Sequence, residues 1–161
     1  MKLAGVSLVK APFFPSKRAA SAHYRYRALV GIGGNEGAVM ERFVRLLRYW
    51  TTRRDLFVVE TSPIVKNPPF GYLPQPDFLN ALAWVQTSLS AKALLRLLLQ
   101  TEKRFGRVRK ERFGPRTLDL DLIFFENQTL NTPRLTLPHP HWSERLSVIV
   151  PLGMMQQRNV S

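Results

Sequence analysis

Cysteine does not occur in this 161-residue chain. Disulfides and zinc–thiolate sites are thereby excluded, and the composition fits a reducing cytoplasm. Long apolar runs are missing too: none approaches the roughly 20 residues that span a bilayer. The N-terminus lacks the continuous apolar core of a secretory signal. Acidic residues are scarce, 11 Asp and Glu against 24 Lys and Arg, for a formal charge of +13. Such an excess favours polyanionic partners: nucleic acid, a nucleotide or an acidic surface. The apolar share, 45%, is that of an ordinary globular protein, and the length suits one domain.

The positive charge is clustered. Residues 1–28 hold six Lys/Arg and no acid, and residues 103–116 hold seven Lys/Arg and one Glu. The first cluster reads as a basic extension over residues 1–25, partly disordered or packed on the surface. A single domain is then expected over residues 26–161. The acid-poor start faintly resembles an organellar transit peptide, but composition alone is a weak signal and the plain extension is preferred.

Periodicity predicts the elements. Tyr26–Ile32 reads as a strand ending in Gly31-Ile-Gly33-Gly34-Asn35. Glu36–Trp50 has Val39, Phe43, Leu46, Leu47 and Trp50 at helical spacing. Leu56–Val65 and Phe78–Thr87 read as strands. Between them Lys66–Asp77 carries four prolines in twelve residues, which excludes regular structure. Ser90 is an N-cap for a helix through Phe105, closed by Gly106. Leu118–Phe125 is a further strand. The order β-α-β-β-α-β gives an α+β, ferredoxin-like fold: an antiparallel sheet with helices packed on one face. Beyond Asn131, Pro133, Pro138, Pro140 and Pro151 are expected to keep the C-terminal elements short.

The most informative segment is Arg116-Thr-Leu-Asp119-Leu-Asp121-Leu-Ile-Phe-Phe125. Strand alternation puts Asp119 and Asp121 on one face, with Leu118, Leu120, Leu122 and Phe124 on the other. Carboxylates at i and i+2 lie roughly 6.5–7 Å apart at the backbone. Their oxygens can converge on one hard cation, or on two cations about 3.5–4 Å apart. An isolated D-x-D is more often a solvated strand face. Here it adjoins Arg104-Phe-Gly-Arg107-Val-Arg109-Lys110-Glu-Arg112-Phe-Gly-Pro-Arg116, a loop able to close over phosphates. Arg109 and Arg116 are the first candidates within it.

Other signals are weaker. In Pro76-Asp77-Phe78-Leu79-Asn80, the Asn80 amide can read the edge of a flat heterocycle on which Phe78 stacks; core packing and a turn role compete equally. His139 and His141 flank Pro140, and a hydrogen bond from His139 to a phosphate is the economical reading. The glycines at 31, 33, 34 and 37 fail the dinucleotide fingerprint, since Glu36 stands where the third glycine is required. A tight strand-to-helix turn accounts for them.

Taken together, Arg107-Val-Arg109-Lys110, Gly114-Pro-Arg-Thr-Leu-Asp119-Leu-Asp121-Leu-Ile, Arg134-Leu-Thr136-Leu-Pro-His139-Pro and Pro76-Asp-Phe78-Leu-Asn80-Ala resemble 6-hydroxymethyl-7,8-dihydropterin pyrophosphokinases, from about Tyr26 to Leu152. The resemblance implies ATP-dependent pyrophosphoryl transfer to the pterin hydroxymethyl group in folate biosynthesis, with release of AMP. It implies two Mg²⁺ ions on Asp119 and Asp121, and Arg109 and Arg116 acting on the phosphates. Glu102, Lys110, Arg112, Arg134, Thr136, His139 and Arg145 match the ATP site. Asn67, Pro68, Phe70, Phe78 and Asn80 match the pterin site. ATP and the pterin are the expected partners of a cytoplasmic protein, with a monomer as the working assumption. Ser147 departs from the pattern, standing where a second stacking aromatic is usual; Leu146 or Trp142 compensates, or the pterin binds more weakly. Gly34 replaces a serine, Phe113 a frequent tryptophan, and the chain ends soon after Pro151-Leu152.

Two other classes compete. An RNA-recognition module shares the element order and suits the charge, but Phe78–Thr87 lacks the aromatic pattern such domains carry. An acidic pair on the last strand would also repel RNA. An inactive phosphotransferase relative is the other, and Ser147 is its best support.

Overall fold

The structure is a computed structural model that describes residues 5–69, 74–106 and 117–160, with side chains to residue 155. Two short strands come first, β1 (Ser7–Val9) and β2 (Ser16–Lys17). Then come β3 (Tyr26–Gly34), α1 (Val39–Thr51), β4 (Phe57–Thr61), β5 (Ile64–Asn67), β6 (Phe78–Thr87), α2 (Ala91–Arg104) and β7 (Asp119–Phe125), the expected β-α-β-β-α-β order with its second strand split in two. A small ribbon, β8 (Leu130–Asn131) with β9 (Thr136–Leu137), precedes a 3-10 turn at Trp142–Glu144 and the helix α3 (Leu146–Val160).

All pairings are antiparallel, and the main sheet runs β1-β5-β6-β3-β7, with β4 on β6 and β2 on β4. One face buries Val30, Ile32, Val58, Ala83, Val85, Leu120 and Leu122 against the apolar stripes of α1 and α2. These stripes are Phe43, Leu46, Leu47 and Trp50, and Leu94, Leu97 and Leu98. The other face carries a smaller cluster of Leu29, Leu82, Ile123, Val148 and Met155. The expected ferredoxin-like α+β architecture is therefore present, with α3 added on the second face.

Several boundaries differ for identifiable reasons. α1 starts at Val39, not Glu36, because Gly37 takes φ +77° and the turn must close before helical bonds begin. The strand expected over Leu56–Val65 is two strands joined by Ser62-Pro63. Ser62 bridges the break: its amide donates to the Leu82 carbonyl at 2.9 Å, and its Oγ accepts from the Leu82 amide at 2.9 Å. β6 and α2 fall where predicted, and the Ser90 side chain accepts from the Ala93 amide at 3.2 Å. Pro151 does not stop α3. It lies one turn and a half from the helix start, where one backbone bond is lost, and it is buried.

β7 contains a shift in register between Leu29/Val30 and Phe124/Leu122 that leaves Ile123 as an extra residue. The faces exchange beyond it. Phe124 therefore does not join Leu118, Leu120 and Leu122 as strict alternation predicts. Phe125 takes that place in the main core, and Phe124 packs edge-on against Trp142 at 4.8 Å on the other face.

Residues 5–18 pack on the sheet. β1 and β2 both run along the bent β4–β5 strand, and Phe14 is fully buried against Phe43, ring centroids 5.7 Å apart.

Candidate active site

Antiparallel register sets three strands side by side, with β3 in the middle. Gly33 pairs with Asn80 of β6 on one side and with Asp119 of β7 on the other. Gly31 pairs likewise with Leu82 and Asp121. Asn80, Gly33 and Asp119 thus form one row across the sheet on the face away from α1 and α2. Two strand spacings, roughly 10 Å, separate the Asn80 and Asp119 backbones. That span suits two ligands meeting over β3.

The glycines have a different role from the one expected. Gly31, Gly33 and Gly34 lie inside the paired length of β3, and the turn into α1 is made at Gly37. A Cβ on Gly33 would sit 2.7 Å from Oδ1 of Asn80. A Cβ on Gly31 would sit 3.1 Å from the Ile123 side chain. The bare middle strand leaves room for side chains arriving from both neighbours.

At the β6 end, the Asn80 Nδ2 donates to Asn67 Oδ1 at 2.7 Å. Asn67 itself pairs with Phe78. The expected Asn67, Phe78 and Asn80 therefore come together, with Pro68 next in the chain and exposed. Phe70 lies outside the described residues.

At the β7 end, Asp119 and Asp121 are both partly exposed while their neighbours Leu118, Leu120 and Leu122 are buried. Beside them lies a cavity of about 220 Å³, lined among others by Asp121, Arg134, Thr136 and His139. Residues assigned from two separate stretches of sequence thus face one space. His139 is hung from the register shift in β7, its amide donating to the Ile123 carbonyl at 2.8 Å. Its ring Nδ1 donates to the Pro140 carbonyl at 2.7 Å, which orients the ring and leaves Nε2 as the nitrogen available to a ligand. A larger hollow of about 540 Å³ lies at the start of α1, lined by Asn35, Lys66 and Asp77 among others. It holds neither paired aspartate, so the smaller cavity is the better chemical candidate.

Glu102 and Arg145 do not line the smaller cavity. Glu102 is only 3% exposed, and its Oε2 accepts the Leu120 amide at 2.7 Å, between the two aspartates. Arg145 is exposed at the entry to α3, where its carbonyl accepts the Val148 and Ile149 amides. Ser147 is partly exposed two positions later, and Trp142 is engaged with Phe124. Arg109, Lys110, Arg112 and Arg116 lie outside the described residues.

Arg42 was not singled out by the sequence, since one Arg on a helix reads as a solvated residue. Its Nη1 donates to the Glu36 carbonyl at 2.8 Å and the Thr117 carbonyl at 2.7 Å. It ties the end of β3 to the residue from which β7 departs. Burial, and then nearby Arg45, lower its pKa, while Glu36 acts in the opposite sense.

The donor set fits magnesium. Asp119 and Asp121 are two hard carboxylates at alternate, partly exposed positions of β7, and among the described residues no group of three or more His, Cys, Asp or Glu side chains could hold a metal. Mg²⁺ characteristically takes one or two carboxylates and completes its shell with water and substrate phosphates.

Comparisons with known proteins supply a family and several relatives. The family model described as 7,8-dihydro-6-hydroxymethylpterin-pyrophosphokinase matches residues 29–157. The 2-amino-4-hydroxy-6-hydroxymethyldihydropteridine pyrophosphokinase of Helicobacter pylori is 41% identical over 146 residues, covering 89% of this chain and 90% of its own. That of Campylobacter jejuni is 39% identical over 156 residues, covering 96% and 99%, which carries the match into the N-terminal segment. That of Bacillus subtilis is 37% identical over 134 residues, covering 81% and 78%.

Proposed function

The chain belongs to the 7,8-dihydro-6-hydroxymethylpterin-pyrophosphokinase family, and from that premise we propose how its residues divide the work. The reaction moves the pyrophosphoryl group of ATP to the hydroxymethyl oxygen of the dihydropterin and releases AMP, in folate biosynthesis. Asn80 and Asn67 read the pterin edge, Phe78 stacks on its ring, and Pro68 and Phe70 complete the pocket. Asp119 and Asp121 hold two magnesium ions; when bound, these neutralise charge on the phosphate oxygens. Arg134, Thr136 and His139 take the nucleotide in the adjoining cavity, with Lys110, Arg112 and Arg145 as further phosphate partners. Glu102 serves the same half of the site by holding the Leu120 amide. Arg109 and Arg116 supply charge in the transition state. Positioning dominates: two ligands held in line over Gly33 need little covalent help from the protein. The same reading takes the protein as a cytoplasmic monomer, and no helix among the described residues is long and apolar enough to cross a membrane.

The row Asn80–Gly33–Asp119 carries this reading, because it brings the heterocycle reader and the metal carboxylates to opposite sides of one bare strand. The test is AMP release from ATP and Mg²⁺ with and without 6-hydroxymethyl-7,8-dihydropterin. Pterin-dependent release is expected. Asp119→Ala and Asp121→Ala should each lose at least on the order of 10²–10³ in kcat, the scale of one lost charge-stabilising group. Normal Mg²⁺-dependent turnover in either variant would refute the metal assignment.

A further inference from the structure

The N-terminal segment runs beside the strand that ends at Asn67. Ser7, Leu8 and Val9 pair with Lys66, Val65 and Ile64. Ser16 and Lys17 pair with Thr61 and Glu60, and the Arg18 amide donates to the Val59 carbonyl at 2.9 Å. Between the two pairings the chain makes a tight excursion, closed by two 2.9 Å bonds between Ala11 and Phe14. That excursion drives Phe14 into the core. β1 and β2 thus line successive parts of one sheet edge, and the excursion between them is pinned by a fully buried ring.

The segment extends to the pterin end of the site. Gly5, at φ +75°, lies so close to Pro68 that a Cβ on it would come within 3.0 Å of the ring Cγ. Asn67 and Pro68 are therefore braced from two sides. β6 holds Asn67 through Asn80 and the Phe78 pairing, and the N-terminal strand covers β5 and touches Pro68. Without β1, β5 would be a sheet edge leading into a proline-rich loop, and an edge held by one ladder opens more readily than a strand held by two.

We propose that residues 5–9 are a positioning element of the pterin half of the site, holding Asn67 and Pro68 ready for the heterocycle. This rests on the assignment of Asn67 and Pro68 above. Order imposed before binding need not be paid for during binding, so its loss should appear in the affinity for the pterin.

The experiment uses three single variants of the full chain: Ser7→Pro, Leu8→Pro and Gly5→Ala. Hydrogen-bonded and non-bonded pairs alternate along an antiparallel ladder, so one of the two prolines must remove a donor facing β5. Leu8 is 47% exposed, so its replacement costs little packing. The KM for hydroxymethyl-dihydropterin is expected to rise three- to tenfold in the ladder-breaking proline variant and in Gly5→Ala. The KM for ATP should stay within twofold. Pterin KM values within twofold of wild type in all three variants would overturn the proposal. So would equal rises in both KM values, which signal general loosening. If the prolines melt below the assay temperature, Gly5→Ala decides alone by the same split. Wild-type protein is assayed first: absence of pterin-dependent AMP release there counts against the assigned reaction, not against the bracing role.

Discussion

Gly33 lacks the methyl group that would obstruct the Asn80 side chain across the strand. The Asn80 amide occupies the space a Cβ would fill, at 2.7 Å. Gly33→Ala should therefore displace the Asn80 side chain, the far end of which is flexible, and leave the backbone in place. Alanine also reduces the freedom of the unfolded chain, so stability should hold or rise. The expected result is about a tenfold higher pterin KM, or ~1.4 kcal/mol, with ATP KM unchanged and the melting temperature equal or higher. Steady-state kinetics and a thermal melt check it. Periodicity could not reveal this, because a glycine reads as a turn until the register shows what lies opposite. That Asp119 shares a face with Asp121, and Phe78 with Asn80, was legible because strand alternation alone sets it.

At the scale of elements, two junctions hold the sheet in shape. Ser62 keeps β6 bonded where β4 gives way to β5, and it is fully buried. Ser62→Ala would leave the buried Leu82 amide without that acceptor, at a cost of about 1–3 kcal/mol. Denaturant titration should show that loss, with activity retained at low denaturant. The α1–β4 connection is fixed by Arg53, which grips Asp55 with two bonds of 2.8 and 2.6 Å. That hydrogen bonding holds the Asp55 carboxyl below its usual range, against the opposing effect of burial. A depressed folded pKa contributes stability above the unfolded value near 3.9, and the contribution is lost as pH falls through the folded pKa. Each side chain is 32% exposed, so the pair is worth about 1 kcal/mol or less. Asp55→Asn should therefore show a smaller drop in urea midpoint than wild type when pH falls from about 5 to below the folded pKa.

For the molecule as a whole, the basic N-terminal segment is tied into the fold. Phe14 joins the same cluster as Phe43, Trp50 and Val30. Truncating such a ring costs about 3–5 kcal/mol, a large part of a typical stability of about 5–15 kcal/mol. Phe14→Ala should lower the midpoint of global unfolding in a single transition. A separate early transition confined to the N-terminus would show instead that the segment is an appendage.

By itself, the sequence determined the order of the central elements from β3 to β7 apart from the break at Ser62-Pro63, the two helix faces, the Ser90 cap and the acidic pair on one strand face. Each depends on contacts within a few residues, and local periodicity records them. Only the tertiary structure decided that Gly33 lies between Asn80 and Asp119, that Glu102 reaches the Leu120 amide, and that Gly5 lies against Pro68. These are contacts between segments separated in the chain. They follow from register, and in β7 from one extra residue at Ile123 that exchanges the faces and that no alternation pattern announces.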